Sequence, residues 1–262
     1  MAEPTPASRQ AADGSPYPDR TRPTFERDVR QMFGHIAERY DWFDHVASMG
    51  NDFLWRPRAL GQLDRFRTPA PILRVLDIGC GTGDLARLAA RRYPSAQVVA
   101  ADFTAPMLAN ARRRGLRAAE GPRVALARAT ALHLPFADRS FDLVTNAFLA
   151  RNLSSLPDGF AEMRRVLRPG GVLLTLEITE PIAPVFGAFF HAYFDQVVPW
   201  MGSAVDSEGP YRYLPESLKS LPSRPEFVRL LRAAGFPRVA ACPQSFGIVT
   251  TYLAEVPSDQ RR

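Results

Sequence analysis

Two cysteines in 262 residues, Cys80 and Cys242, are too few for a disulfide framework and have no metal-ligand spacing. That scarcity fits a reducing compartment and leads to the expectation of a cytoplasmic protein. No apolar run reaches the roughly 20 residues of a membrane-spanning helix. Nor does an apolar segment follow a basic start: Met1 to Pro23 are rich in Pro, Ala, Ser and Asp, which reads as a disordered tail over 1–23 rather than a signal or transit peptide. No internal repeat is visible, so repeat architectures are set aside.

What is present is ordinary for a globular chain, with 46% hydrophobic and 23% charged residues. The length suffices for one large domain, expected over 24–262. The net charge is +6 and the pI near 9.8, yet the arginines are scattered through stretches such as Ala111 to Arg117. A scattered basic surface reads as a solvated face. A nucleic-acid-binding protein would need a basic groove interleaved with aromatics, or a base-flipping pocket, and neither is visible, so no nucleic-acid partner is expected.

Phe25, Val29, Met32, Phe33 and Ile36 recur at helical spacing, and Trp42 to Phe66 continue as helix and turn, giving N-terminal helices over 24–68. The period then changes. Short apolar runs at Ile72 to Ile78, Gln97 to Ala101, Arg123 to Ala127, Phe141 to Thr145 and Val172 to Glu177 are separated by helical stretches at Asp84 to Arg92, Ala105 to Arg114 and Asp158 to Leu167. Arg238 to Cys242 and Gly247 to Ala254 read as closing strands. This alternation predicts an α/β, doubly wound, Rossmann-like fold with a seven-stranded, mostly parallel sheet. A span rich in aromatics and proline, 178–236, reads as a helical lid inserted before the last two strands.

The run Val75 to Asp84, with Asp77, Gly79, Cys80, Gly81, Thr82 and Gly83, places a glycine turn between the first strand and its helix. A dinucleotide fingerprint would have a third glycine where Asp84 stands, and an acid there repels a pyrophosphate. It suits a cofactor with cationic amino and sulfonium groups and no phosphate, S-adenosyl-L-methionine. Asp102 ends the second strand, where an acid can accept both ribose hydroxyls, or cap the helix that follows. Phe103 beside it, then Thr130 and Ala131 before a turn, and Asn146 after the fourth strand, complete the expected cofactor wall. Thr130 reads equally as a plain loop residue.

These residues and several further blocks resemble the ubiquinone and menaquinone biosynthesis C-methyltransferases of the UbiE and MenG type. The likeness runs from about Arg27 to Leu253 and includes Tyr40-Asp41 followed by Ser48 and Trp55, Arg151-Asn152 after the fourth strand, Arg165 to Gly171 with Leu176-Glu177, and Tyr211 to Ser217. Asp44 and Asp52 stand where the family has Asn and His, Leu149-Ala150 where it has Gly and an aliphatic residue, and Tyr252 where it has His. The resemblance implies methylation of a polyprenylated quinol ring, demethylmenaquinol to menaquinol. The alternative is methylation of another small aromatic or natural product.

Under that reading Arg151 stabilises the phenolate that develops on the ring, while Asp41, or a water held by Arg151, takes the proton and Tyr211 assists. Tyr40, Asn152, Phe190, Tyr193 and Tyr213, together with Arg151, are the expected substrate contacts. The competing role for Arg151 is an ion pair with Asp158 at a helix start. The aromatic stripe from Phe186 to Val198 reads either as a tail channel or as the packed core of the lid, and Trp55 as packing. A lipidic quinol partner leaves a peripheral membrane contact open, and homodimerisation with it.

Overall fold

The computed structural model describes residues 23–37, 48, 50–67, 70–116, 121–182, 193 and 208–258. Tyr40, Asp41, Trp42 and Phe190 therefore lie outside the described residues, as does the aromatic stripe apart from Tyr193. The elements in chain order are α1 (Phe25–Ile36), α2 (Asp52–Phe66), β1 (Arg74–Ile78), α3 (Asp84–Arg92), β2 (Gln97–Asp102), α4 (Ala105–Arg113), β3 (Val124–Arg128), β4 (Phe141–Ala147), α5 (Leu156–Val166), β5 (Leu167–Ile178), α6 (Glu208–Lys219), α7 (Arg224–Ala233), β6 (Arg238–Gln244) and β7 (Val249–Glu255).

The strands form one sheet in the order β3-β2-β1-β4-β5-β7-β6. All pairings are parallel except those of β7, which runs against both β5 and β6. Helices cover both faces, which is why the strands are apolar on both sides instead of alternating. Val75, Val98, Leu143 and Leu174 pack with α2 and α3 on one face, where Leu85, Ala86, Ala89 and Ala90 present the buried stripe of α3. Leu76, Ala101, Val144 and Leu173 point the other way, into a core with Phe160, Met163, Phe227 and Leu231 of α5 and α7.

The largest boundary departure from the sequence pattern is at β5 and the helix before it. β5 begins at Leu167, which pairs with Phe141, before Val172 pairs with Leu143; Arg168 to Gly171 form the irregularity between them. Accordingly α5 spans Leu156–Val166, opened by Ser155, whose Oγ accepts the Asp158 N–H at 3.3 Å. The span 178–236 also divides. Its last helix, α7, packs Phe227 edge-on against Phe160 and flat on Tyr252 at 4.1 Å between ring centroids, so it covers the sheet and is no part of a lid.

Candidate active site

The strand order reverses between β1 and β4, and the carboxyl ends of β1, β2 and β4 therefore part to leave a crevice. At the end of β1 the chain turns through Gly79-Cys80-Gly81-Thr82-Gly83 into α3. The Cys80 N–H donates to the Ala101 carbonyl at 3.0 Å and the Gly83 N–H to the Cys80 carbonyl at 2.8 Å, folding the turn against β2. Gly79 has φ 68°, and a Cβ there would stand 2.7 Å from Leu149 Cδ1. Gly83 has φ 89°, with Leu116 Cδ2 at 2.6 Å from a would-be Cβ. Only glycine takes these backbone conformations without strain.

Asp102 is buried at the end of β2. Its Oδ2 accepts the Gly81 N–H at 3.0 Å and its Oδ1 the Thr104 N–H at 2.8 Å. The carboxylate thus ties the glycine turn to the start of α4, whose N-cap is Thr104 rather than Asp102, and it also lines the crevice. Burial pushes its pKa up, and the two backbone donors oppose that rise. Each carboxylate oxygen accepts more than one hydrogen bond, so the internal bonds orient the group without exhausting it.

Two adjoining cavities meet at this turn. The larger encloses about 680 Å³ with its open mouth and brings together Gly79, Gly81, Asp102, Phe103, Thr130, Ala131 and Asn152 of the expected set. Phe33 of α1, Met107 of α4, and Phe148 and Leu149 after β4 complete its apolar walls. The smaller encloses about 360 Å³ and holds Asp77, Cys80, Thr82 and Asp84, with Gly79 and Gly81 shared. Asp77 accepts the Thr145 hydroxyl at 2.7 Å, and burial pushes its carboxyl up to about 7. Asp84 is half-exposed and pairs with Arg114 at 3.2 Å. Burial also raises the Cys80 thiol, leaving it a neutral wall group and not a nucleophile.

Asn146 is a correction. Its Nδ2 donates to Thr175 Oγ1 at 3.1 Å and lies 3.6 Å from Met163 Sδ, buried under α5 and away from both cavities. The reason is the two-residue period of a strand. Thr145 shares a face with Asp77, so its neighbour Asn146 must point to the opposite one.

Arg151 lies in a short 3-10 turn, Ala150–Asn152, just beyond β4. It is buried behind the crevice wall, with its guanidinium carbon 5.9 Å from the Phe148 ring centroid. Its charge acts on Glu177 at the end of β5, whose Oε1 accepts the Ala150 N–H at 2.6 Å. Burial pushes the Glu177 carboxyl up to about 7 against the pull of Arg151. Tyr213 is buried and donates its hydroxyl to Asn152 Oδ1 at 3.0 Å, docking α6 on this turn. Tyr211 lies in the same helix. Tyr193 is half-buried, which raises its phenol, and is in neither cavity wall.

Sequence reasoning missed Phe148 and Arg56. Phe148 has φ 58°, uncommon for a residue with a side chain, and is buried between both cavities with Trp55 edge-on at 6.3 Å. Arg56 could have been found from Asp52, its partner four residues earlier on the same helix face.

The set is rich in acids and glycines, offers no phosphate cradle, and fits S-adenosylmethionine: an oriented carboxylate for ribose hydroxyls, apolar walls for a base, and a second chamber for an aminocarboxyl chain. A doubly wound sheet with this site at its switch point defines a methyltransferase of the adenosyl-cofactor type.

The chain belongs to the ubiE/COQ5 methyltransferase family, whose model matches residues 22–255. It is 41% identical to a demethylmenaquinone methyltransferase of Thermus thermophilus, covering 86% of this chain and 100% of that one. A ubiquinone/menaquinone biosynthesis C-methyltransferase UbiE of Geobacter sulfurreducens is 38% identical, over 87% and 88%. Among solved structures, a SAM-dependent methyltransferase from Aquifex aeolicus superposes with a TM-score of 0.58 at 19% identity, over 82% of this chain and 97% of that one, and shows the shared fold.

Proposed function

We propose that this enzyme methylates a ring carbon of a polyprenylated quinol, converting demethylmenaquinol to menaquinol with S-adenosylmethionine as donor. The observation that carries the reading is Asp102, held by two backbone donors at the end of β2 and facing a crevice beside the glycine turn. The relatives' names supply the acceptor class.

The cofactor supplies a methyl group activated on a sulfonium. Gly79 to Gly83 and Asp102 would hold it beside the crevice, and alignment with the acceptor would supply most of the rate gain. Phe148, Leu149 and Phe103 wall the ring side and exclude water. In the transfer a ring carbon would form one C–C bond while the S–C bond broke, and the ring C–H proton would then leave to restore aromaticity. From behind the cavity wall, the Arg151 charge stabilises negative charge on the ring oxygen that drives the attack. An arginine keeps its proton at accessible pH, so a water held by Arg151, or Asp41, accepts the leaving proton.

A polyprenyl tail keeps its quinol in a bilayer, and we extend the proposal to a peripheral membrane contact. Phe53 and Leu54 at the start of α2 and Phe246 beside β7 are exposed, and Trp55 donates to Ser245 Oγ at 2.8 Å, placing both segments at one end of the sheet.

The test is incorporation of labelled methyl into reduced demethylmenaquinone by the purified enzyme. Stoichiometric conversion is expected, with long-tailed acceptors used better than the bare ring. Tight cofactor binding with no transfer to any quinol, but with transfer to another aromatic, would replace this acceptor.

A further inference from the structure

Among the described residues in the wall of the larger cavity, two side chains are titratable, Asp102 and Glu26. Asp102 stands on the glycine-turn side with a backbone donor on each oxygen. Glu26 comes from the first turn of α1 and lies beside the segment beyond β4, where its Oε1 accepts the Ser154 hydroxyl at 2.8 Å. Asn152 and Leu153, just before Ser154, share the same wall. Phe25 and Val29 seat α1 by packing with Phe103 and Tyr213, and Glu26 and Phe33, two turns apart on one helix face, are thereby presented to the cavity.

An acid in the first turn complements a helix dipole whichever way it points, and Asp28 does so from the same turn without entering the cavity wall. That role does not require Glu26 to face a chamber whose other walls are mostly apolar. A carboxylate accepts hydrogen bonds and donates none. Towards a quinol it meets a ring hydroxyl that can donate. Towards the oxidised quinone it meets a carbonyl oxygen, which it cannot bond and which repels it.

We propose that Glu26 accepts the hydrogen bond of a ring hydroxyl of the acceptor and takes its proton during transfer, so that the enzyme selects the quinol over the quinone. This deepens the quinol reading and rests on it. The hydroxyl O–H bond breaks towards the Glu26 carboxylate as the ring carbon gains the methyl group. Once the ring C–H proton has left, Glu26 returns its own proton to the ring oxygen. One proton is thus released per turnover, and no oxidant or reductant is consumed. Ser154 is the positioning residue, its hydroxyl fixing one carboxylate oxygen.

Calorimetric titration tests this with two probes, a short-tailed naphthoquinone and, under anaerobic conditions, its reduced quinol. The full chain is saturated with S-adenosylhomocysteine so that binding is read without transfer. The wild-type enzyme is expected to prefer the quinol by roughly ten- to a hundredfold, the worth of a charge-assisted hydrogen bond. Glu26→Gln is nearly isosteric and its amide oxygen can still accept the Ser154 hydroxyl, which protects the fold. Its amide also donates, so this variant should lose the preference by binding the quinone better and the quinol worse. With saturating quinol and S-adenosylmethionine its single-turnover rate should fall by about a hundredfold or more, because an amide takes no proton, while Glu26→Asp should retain part of the rate. If the wild-type enzyme shows no preference, or if Glu26→Gln keeps it, weakens both probes equally or leaves the single-turnover rate unchanged, the assignment is overturned. If the wild-type enzyme neither binds nor methylates any quinol, the quinol reading itself fails, and Glu26 with it.

Discussion

Glu177 stands at the end of β5 and meets the charge of Arg151 from the turn beyond β4, and burial outweighs that attraction at its carboxyl. The Glu177 carboxyl sits at about 7 in the fold against an ordinary 4.5. The folded state therefore binds its proton more tightly than the unfolded chain. This contribution is present in full below about pH 4.5 and is lost as pH rises through 7, after which stability levels off. Asp77, pushed up to about 7 from 3.8, acts in the same direction. Urea unfolding followed across pH 5 to 7 should show a shallower fall in Glu177→Gln than in the wild type; identical slopes would mean Glu177 does not titrate there. Arg151→Ala should lower turnover about a hundredfold or more if its charge stabilises the ring oxygen, with cofactor affinity nearly intact. Single-turnover rates and melting curves on the same samples decide between this role and a purely structural one. Normal chemistry with a lower melting temperature would remove Arg151 from catalysis.

At the scale of elements, the parallel strands were legible because each is a short apolar run closed by turn residues. The start of β5 lies five residues before the sequence pattern puts it, since Arg168-Pro169-Gly170-Gly171 looks like a terminator while in the sheet it is an irregularity that Leu167 precedes. The glycine turn and Asp102 were legible because their spacing is fixed by one strand-turn-helix-strand unit. For Arg56 the sequence holds only the i,i+4 pairing with Asp52; its nearness to that turn depends on how α2 packs, which no local pattern encodes. Tyr252, where the family has histidine, is explained by the stacking of its ring on Phe227 inside the core. Between β6 and β7 the chain passes through Ser245 and Phe246 at φ 46° and 58°. Left-handed backbone costs a side-chain-bearing residue roughly 1–2 kcal/mol, less for asparagine. Phe246→Asn should therefore raise unfolding free energy by up to about 1 kcal/mol. A decrease in chemical denaturation would show that the phenyl ring packs more than its exposure suggests.

Across the whole molecule, a net charge of +6 and an apolar rim at one end of the sheet combine into one physical expectation. Among the described residues no helix is long and apolar enough to cross a membrane; on the proposed reading a lipid-borne acceptor is reached through a surface contact. Phe53 and Phe246 are 64% and 66% exposed, and transfer of such rings into the acyl boundary is favourable, while a basic surface adds attraction to anionic headgroups. The enzyme should cosediment with vesicles containing phosphatidylglycerol and less with purely zwitterionic ones. Raising salt from about 0.1 M to about 1 M should weaken the electrostatic share, because the screening length falls from about 10 Å to 3 Å. Phe53→Ser combined with Phe246→Asn should cut partitioning by on the order of tenfold or more, and the same double variant should still methylate a short-tailed, water-soluble quinol at the wild-type rate. That pairing separates a docking role from a catalytic one. Unchanged vesicle binding in the double variant would place the membrane contact elsewhere, and equal loss on short-tailed acceptors would mean that the rim shapes the site itself.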